Sequence, residues 1–133
     1  MGYDFMFEKA KDLSKVRFPC DYGAFEPERG TFPWAVLKRH ILSKGAVEQD
    51  FSSIGLNAVD YRWEIGGKGV IYVSGTEDYA SLDMHAEWDV LLDLFLWLRQ
   101  QDSRVVLADT NIGNYHDPAS FRMFMDENHN QTA

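Results

Sequence analysis

The segment from Asp83 to Asp109 constrains the fold more than any other part of the chain. Ten of the thirteen residues from 86 to 98 are apolar, and three polar residues at spacings of four and seven fall on one narrow stripe of a helical wheel. That stripe holds Asp89, Asp93 and Gln100. The pattern predicts a helix that begins at Asp83, its N-cap, and is buried over more than half its circumference. The continuous apolar run that ends at Asp109 predicts a strand buried on both faces.

The order of the predicted elements indicates the fold class. A helix followed closely by a buried strand implies a crossover, and hence a parallel neighbour in the sheet. The other predicted elements are a strand at 3–8, a helix at 33–44, a hairpin of strands at 57–65 and 70–74, and a helix from 117. The first six elements have the ferredoxin-like order β-α-β-β-α-β. We therefore expect an α+β two-layer sandwich with a four-stranded mixed sheet and helices on one face.

The chain length predicts one domain, at residues 1–126, followed by a disordered polar tail at 127–133. Residues 9–30 are rich in Pro, Gly and acids, and we expect a long irregular connection there that could hold an extra strand.

Charge is spread unevenly along the chain. The net charge is −8, with ten acids and nine bases in residues 1–67 but eleven acids and four bases in residues 68–133. Residues 77–93 hold six acids and no base, which argues against direct nucleic-acid binding. The segment permits binding to a basic protein, and a solvated face that gives solubility is the alternative. The expected contacts are acids with two aromatic anchors: Glu77, Asp78, Asp83, Asp89, Asp93, Trp34 and Tyr79.

Catalytic chemistry has one candidate set. Cys20 is the single cysteine, and with His116 and Asp117 it offers the residue types of a thiol hydrolase. A helix cap at Asp117 is the simpler interpretation. The four histidines have no metal-ligand spacing, no cofactor motif is present, and the glycines at 66, 67 and 69 predict a hairpin turn. The lone cysteine and the absence of a leader or membrane segment indicate a reducing, cytoplasmic compartment.

Two short motifs carry a family resemblance. Residues 1–7, MGYDFMF, and residues 88–92, WDVLL, resemble a loose group of small acidic bacterial proteins that includes immunity proteins of toxin systems. This resemblance implies a non-enzymatic inhibitor that binds and blocks a toxin, and it assigns no binding residue. Two alternatives stay open, a small hydrolase and a homodimeric or small-molecule-binding domain whose exposed patch would hold Tyr61, Trp63 and Tyr72.

Overall fold

The protein is described here by a computed structural model that covers residues 3–50 and 59–132. The elements of the described part, in chain order, are β1 (Tyr3–Lys9), β2 (Cys20–Asp21), α1 (Trp34–Ser43), β3 (Val47–Asp50), β4 (Val59–Ile65), β5 (Gly69–Gly75), β6 (Tyr79–Ala86), α2 (Trp88–Gln101), β7 (Val105–Asp109), β8 (Asn114–His116) and α3 (Pro118–Thr132). The first two residues of the predicted strand at 57–65 lie outside the described part.

One antiparallel sheet of eight strands organises the molecule. Its strand order is β2-β8-β7-β1-β6-β5-β4-β3, and every neighbouring pair is antiparallel. The expected four-stranded mixed sheet with ferredoxin-like order is therefore wrong. The α+β composition stands, but strands dominate, and β1 lies in the middle of the sheet between β6 and β7.

The strand β6 is one of four strands, with β2, β3 and β8, that the expected sheet lacks. Residues 79–86 were expected to lead into the helix and to form its first turn, yet they form an eight-residue strand. Ala80, Leu82 and Met84 are buried while the residues between them are more exposed, which is the period-two pattern of a half-covered strand. The helix begins only at Trp88, with Glu87 at its N-cap. Asp83 is therefore a strand residue and not a cap.

The expected crossover exists, but it passes over an intervening strand. Both β6 and β7 pair with β1 in antiparallel fashion, so they run parallel to each other on either side of it. The helix α2 connects them across β1. The prediction of a parallel neighbour was wrong because β1 fills the position between the two strands.

All three helices contribute to one core on one face of the sheet. Inward residues of β1, β4, β5, β6 and β7 meet the buried stripes of the helices there. Phe5, Phe7, Leu37, Ile41, Leu82 and Phe95 are among the side chains with almost no exposure. We call this side of the sheet the helix side. Most of the large apolar residues in the described part of the chain lie there.

A second, smaller cluster covers one end of the opposite face. Val106, Ala108 and Tyr115 are buried there beneath side chains of the segment 10–30. The covering side chains include Leu13, Phe18, Cys20 and Phe25. The segment is anchored by Lys9, whose ammonium lies 2.8 Å from the Asp102 carboxylate and 3.6 Å from that of Glu28. It contains the short strand β2, the extra strand that the sequence left open.

The third helix is longer than expected. It extends to Thr132, beyond the predicted end of the folded domain at 126. Phe121 is fully buried against Phe5 and Trp88, with ring centroids 5.5 and 6.2 Å away. These contacts fix the first turns of the helix onto the middle of the sheet.

Candidate protein-binding face

The outward residues of β1, β4, β5 and β6 form a polar surface on the side of the sheet opposite the helices. Alternation along each strand places large apolar side chains on the helix side and polar ones outward. All of the outward side chains retain some exposure to solvent. We define the open face as Asp4, Asp60, Arg62, Glu64, Tyr72, Tyr79, Asp83 and His85.

A single cross-strand row runs through the centre of the open face. Arg62 lies directly opposite Tyr72, Tyr72 opposite Asp83, and Asp83 opposite Asp4. The row crosses four adjacent strands and therefore spans about 14 Å. It presents a cation, a phenol and two carboxylates in a straight line. A few side chains of a partner protein are enough to cover a row of this length.

Negative charge on the open face is only partly neutralised. The guanidinium of Arg62 lies 3.3 Å from the Glu64 carboxylate, and hydrogen bonds first with Tyr72 and then with Glu64 raise the Arg62 pKa. His85 Nε2 lies 3.1 Å from Asp83 Oδ1. Within residues 3–50 and 59–132, Asp4 has no cationic group within 4.0 Å.

The pairing of Asp4 with Asp83 is unfavourable for the free protein. The two carboxylates stand directly opposite each other on β1 and β6, at positions where like charges repel. Packing does not force acids on these outward positions, because both side chains retain exposure to solvent. A basic group from a partner would relieve this repulsion.

The structure separates the residues that the sequence assigned to one acidic surface. Asp83 and Tyr79 lie on the open face. Asp89 and Asp93 lie on α2, on the helix side of the sheet, and Asp89 accepts a hydrogen bond from Lys68 at 2.6 Å. The acids of residues 77–93 therefore lie on different surfaces, because residues 79–86 form a strand whose one acid, Asp83, points away from the helix.

The remaining predicted contacts lie at or near the turn between β5 and β6. Asp78 accepts a hydrogen bond from the backbone N–H of Gly30 at 2.7 Å, so its carboxylate holds the segment 10–30 in place. Glu77 is exposed in the same turn, and its backbone carbonyl accepts the N–H of Phe32. Trp34 packs its indole against Gly75 on the helix side and is not an open-face anchor.

The expected aromatic patch is also divided by the sheet. Tyr61 and Trp63 are buried on the helix side, with 7% and 8% exposure, while Tyr72 lies on the open face. Sequence reasoning missed Asp4, Asp60, Arg62, Glu64 and His85 as members of a common surface. The alternation of residues 59–65 does place Asp60, Arg62 and Glu64 on one side of β4, but only the registers of the neighbouring strands place Asp4 at the other end of the same row.

The proposed thiol–imidazole pair does not assemble. Cys20 is the cross-strand partner of Tyr115 and packs in the smaller cluster on the open-face side of the sheet. His116 is the next residue of β8, so its ring points to the helix side, where Phe121 and Phe124 contact it. Asp117 accepts a hydrogen bond from the Ser120 N–H at 2.8 Å, the geometry of a helix cap.

We expect Cys20 to react slowly with alkylating reagents. Burial, followed by the charges of Asp21 and Asp117, raises the pKa of its thiol, so less thiolate is present at neutral pH than in a free thiol. The rate of iodoacetamide modification at pH 7.5 should be lower than that of glutathione measured alongside. A rate faster than that of glutathione would contradict the described environment of Cys20.

Two buried polar groups anchor the ends of β7 and β8. Asp109 is fully buried and accepts hydrogen bonds from the Tyr3 hydroxyl at 2.8 Å and from the N–H groups of Asn111 and Ile112. His116 is 2% exposed, and its Nδ1 lies 2.9 Å from the Ser120 hydroxyl. Both are enclosed by packed side chains, which suits a structural role.

His116 should make the protein less stable in mild acid. Burial lowers the pKa of its imidazole below the ordinary value of 6.5, although Asp109 and Asp117 act in the opposite direction. The unfolded chain therefore takes up the proton first, and stability falls as pH drops from above 6.5 towards the folded pKa. Urea unfolding at pH 7.5 and 5.5 should show a smaller acid-induced loss for His116→Gln than for the wild type.

His40 provides the control, since burial and then Lys44 lower its pKa as well. The variant His40→Gln should remove a separate part of the acid-induced loss, and the double variant should remove both. An unchanged difference between the two pH values in His116→Gln would refute the assignment.

Metal-ligand clusters and membrane-spanning helices are both absent from the part of the chain that the structure describes. No group of three or more His, Cys, Asp or Glu side chains in this part is arranged to hold a metal ion. None of its helices is long and apolar enough to cross a membrane.

Comparisons with known proteins add no family assignment. No protein-family model matches the chain, and neither curated proteins nor solved structures show significant similarity to it.

Proposed function

We propose that the protein is a non-enzymatic protein-binding domain that docks a basic partner on the open face of its sheet. The observation that carries the proposal is the central row, in which Asp4 and Asp83 stand opposite each other and no basic group among the described residues lies within 4.0 Å of both. A cationic side chain of a partner placed between the two carboxylates would offset their mutual repulsion and be attracted to both. Complementary charge of this kind also accelerates the encounter of two proteins.

The aromatic content of the open face supports the same proposal. Tyr72 stands beside Asp83 in the row. Tyr79 is the first residue of β6, and it is 36% exposed. Tyrosines combine an apolar ring with a hydroxyl and are enriched in protein interfaces. The open face therefore offers contact area as well as charge.

The immunity-type role is the more specific part of the proposal. It is supported by the resemblance of residues 1–7 and 88–92 to toxin-system immunity proteins and by the strongly acidic chain. A toxin that cleaves nucleic acid presents a basic cleft, which the open face would cover. A cytoplasmic location is part of this proposal, because such an inhibitor protects the cell that makes it.

A comparison of three tagged proteins tests the binding face. These are the wild type, an open-face variant with Asp4→Asn and Asp83→Asn, and a control variant with Asp126→Asn and Glu127→Gln on α3. Each variant removes two negative charges from a net charge of −8, so general electrostatic attraction is matched. Capture from a lysate of the source organism is performed at low and at moderate salt.

We expect a basic protein to be retained by the wild type and by the α3 control and to be released by salt. Its retention by the open-face variant should fall about tenfold, since two attractive charges at the contact are lost. Equal retention by all three proteins would reject the open face. Co-expression of the captured protein with and without the wild type then tests the immunity role, which predicts growth arrest only in its absence.

A further inference from the structure

A cleft lies on the helix side, across the sheet from the open face. It is bounded by α1, α2 and the turn that joins β4 to β5, and its volume is about 380 Å³. Its apolar lining comes from Trp63, Ile65, Val90 and Leu94. This volume falls within the range of sites that hold small organic molecules.

Two of the charges around the cleft neutralise each other. Lys68 Nζ lies 2.6 Å from Asp89 Oδ2, which closes an ion pair at the beginning of α2. Two further charged residues line the cleft from opposite helices, Lys44 at the end of α1 and Asp93 on α2. In the described part of the chain neither of them has an oppositely charged group within 4.0 Å.

The walls of the cleft therefore differ in charge. On the α1 side, Lys44 stands near His40, whose pKa is lowered first by burial and then by the Lys44 charge, so that this imidazole is neutral at pH 7. Its ring is held flat against Trp97, with centroids 3.7 Å apart. On the α2 side, the hydrogen bond with Asp89 raises the Lys68 pKa, and the charges of Glu87 and Asp93 raise it further. The α1 wall is positive, and the α2 wall keeps an excess of negative charge.

We propose that this cleft binds a free hydrophobic α-amino acid. Its carboxylate pairs with Lys44, its ammonium group pairs with Asp93, and its side chain packs on Trp63, Ile65 and Leu94. A simple organic anion would satisfy Lys44 and leave Asp93 unpaired, and a simple organic cation would do the reverse. A zwitterion with an apolar body matches both charged residues and the apolar lining at once. The inference is independent of the open face, because the cleft lies on the other side of the sheet.

Three related probes remove the ligand charges one at a time. L-phenylalanine carries both groups, 3-phenylpropionate lacks the ammonium group, and 2-phenylethylamine lacks the carboxylate. Isothermal titration calorimetry with the wild type should give the tightest binding for L-phenylalanine, with each analogue about tenfold weaker, since each loses one charge-assisted hydrogen bond.

Two variants connect each ligand charge to its residue. Lys44→Gln should weaken L-phenylalanine about tenfold and leave 2-phenylethylamine unchanged, because that probe has no carboxylate. Asp93→Asn should weaken L-phenylalanine by a similar factor and leave 3-phenylpropionate unchanged. The control is Lys15→Gln, an exposed cation of the segment 10–30, which should alter none of the three affinities.

Both substituted side chains are exposed, so the variants should keep the wild-type urea unfolding curve, which is measured first. The inference is overturned if L-phenylalanine gives no binding heat in the millimolar range or binds no tighter than its two analogues. It is also overturned if folded Lys44→Gln and Asp93→Asn retain the wild-type affinity.

Discussion

Replacement of Phe5 by alanine is expected to lower the free energy of unfolding by about 4 kcal/mol. Phe5 is 1% exposed and lies on β1, the strand between β6 and β7. Its ring centroid is 5.4 Å from Trp88 and 5.5 Å from Phe121, so it packs against both α2 and α3. Truncation would leave a cavity where the sheet and two helices meet, and a large fraction of the roughly 5–15 kcal/mol that stabilises an ordinary domain would be lost.

The matched control is Phe25→Ala. Phe25 is only half buried and packs in the smaller cluster, with its ring centroid 4.4 Å from that of Tyr115. Solvent can fill the space that its truncation leaves, so the free energy of unfolding should fall by only about 1–2 kcal/mol. Urea unfolding followed by tryptophan fluorescence measures both variants. Equal losses of unfolding free energy in the two variants would contradict the larger contribution of the core on the helix side.

Gly69→Ala is expected to cost about 3 kcal/mol, although it adds only one methyl group. Gly69 has a φ of 116°, a conformation that is strained for any residue with a Cβ atom. An added Cβ would also collide with the His85 carbonyl oxygen and lie 2.7 Å from the Ala86 Cα. Both atoms belong to the backbone of β6, so relief of the clash would require β5 and β6 to separate.

Gly66→Ala in the same turn is the control. A Cβ atom at Gly66 would meet no atom within 4 Å, and its φ lies outside the left-handed region. Its effect on the free energy of unfolding should stay within about 0.5 kcal/mol. The thermal unfolding midpoints of the two alanine variants are measured side by side. Equal midpoints would contradict the close approach of β5 and β6.

The strongly patterned elements could be read from the sequence. Three strands, β4, β5 and β7, were predicted with ends within one or two residues of those in the described part of the chain. The signals were the alternation of Val59 to Ile65, the glycine turn after it and the apolar run at residues 105–109. The spacing of Leu37 and Ile41 likewise predicted α1. In each of these segments the local periodicity and the buried face agree, so tertiary contacts change little.

Residues 79–86 could not be assigned from the same signals. Their alternation of Ala80, Leu82 and Met84 is carried by residues of weak β-propensity, and the apolar helix follows after a single residue. The strands β2, β3 and β8 hold two, four and three residues, too few for a periodic pattern. Without these four strands the chain predicts a smaller, differently ordered sheet.

The candidate binding face depends on information that the local sequence does not hold. Asp4 and Asp83 are far apart in the chain, and only the register between β1 and β6 places them opposite each other. The acids of residues 77–93 are unusually concentrated in the sequence. Because the chain changes from strand to helix at residue 87, these acids lie on two sides of the sheet. Clustering in sequence was therefore a poor guide to clustering in space.

The most direct measurement for the open face is a map of the partner's footprint by NMR. Isotopically labelled protein is titrated with the purified basic partner, and backbone amide shifts are followed. The account predicts that the perturbed residues cluster on the outward positions of β1, β4, β5 and β6, with Asp4, Tyr72 and Asp83 at the centre. Perturbations confined to α1, α2 or the segment 10–30, with the open face unchanged, would contradict it.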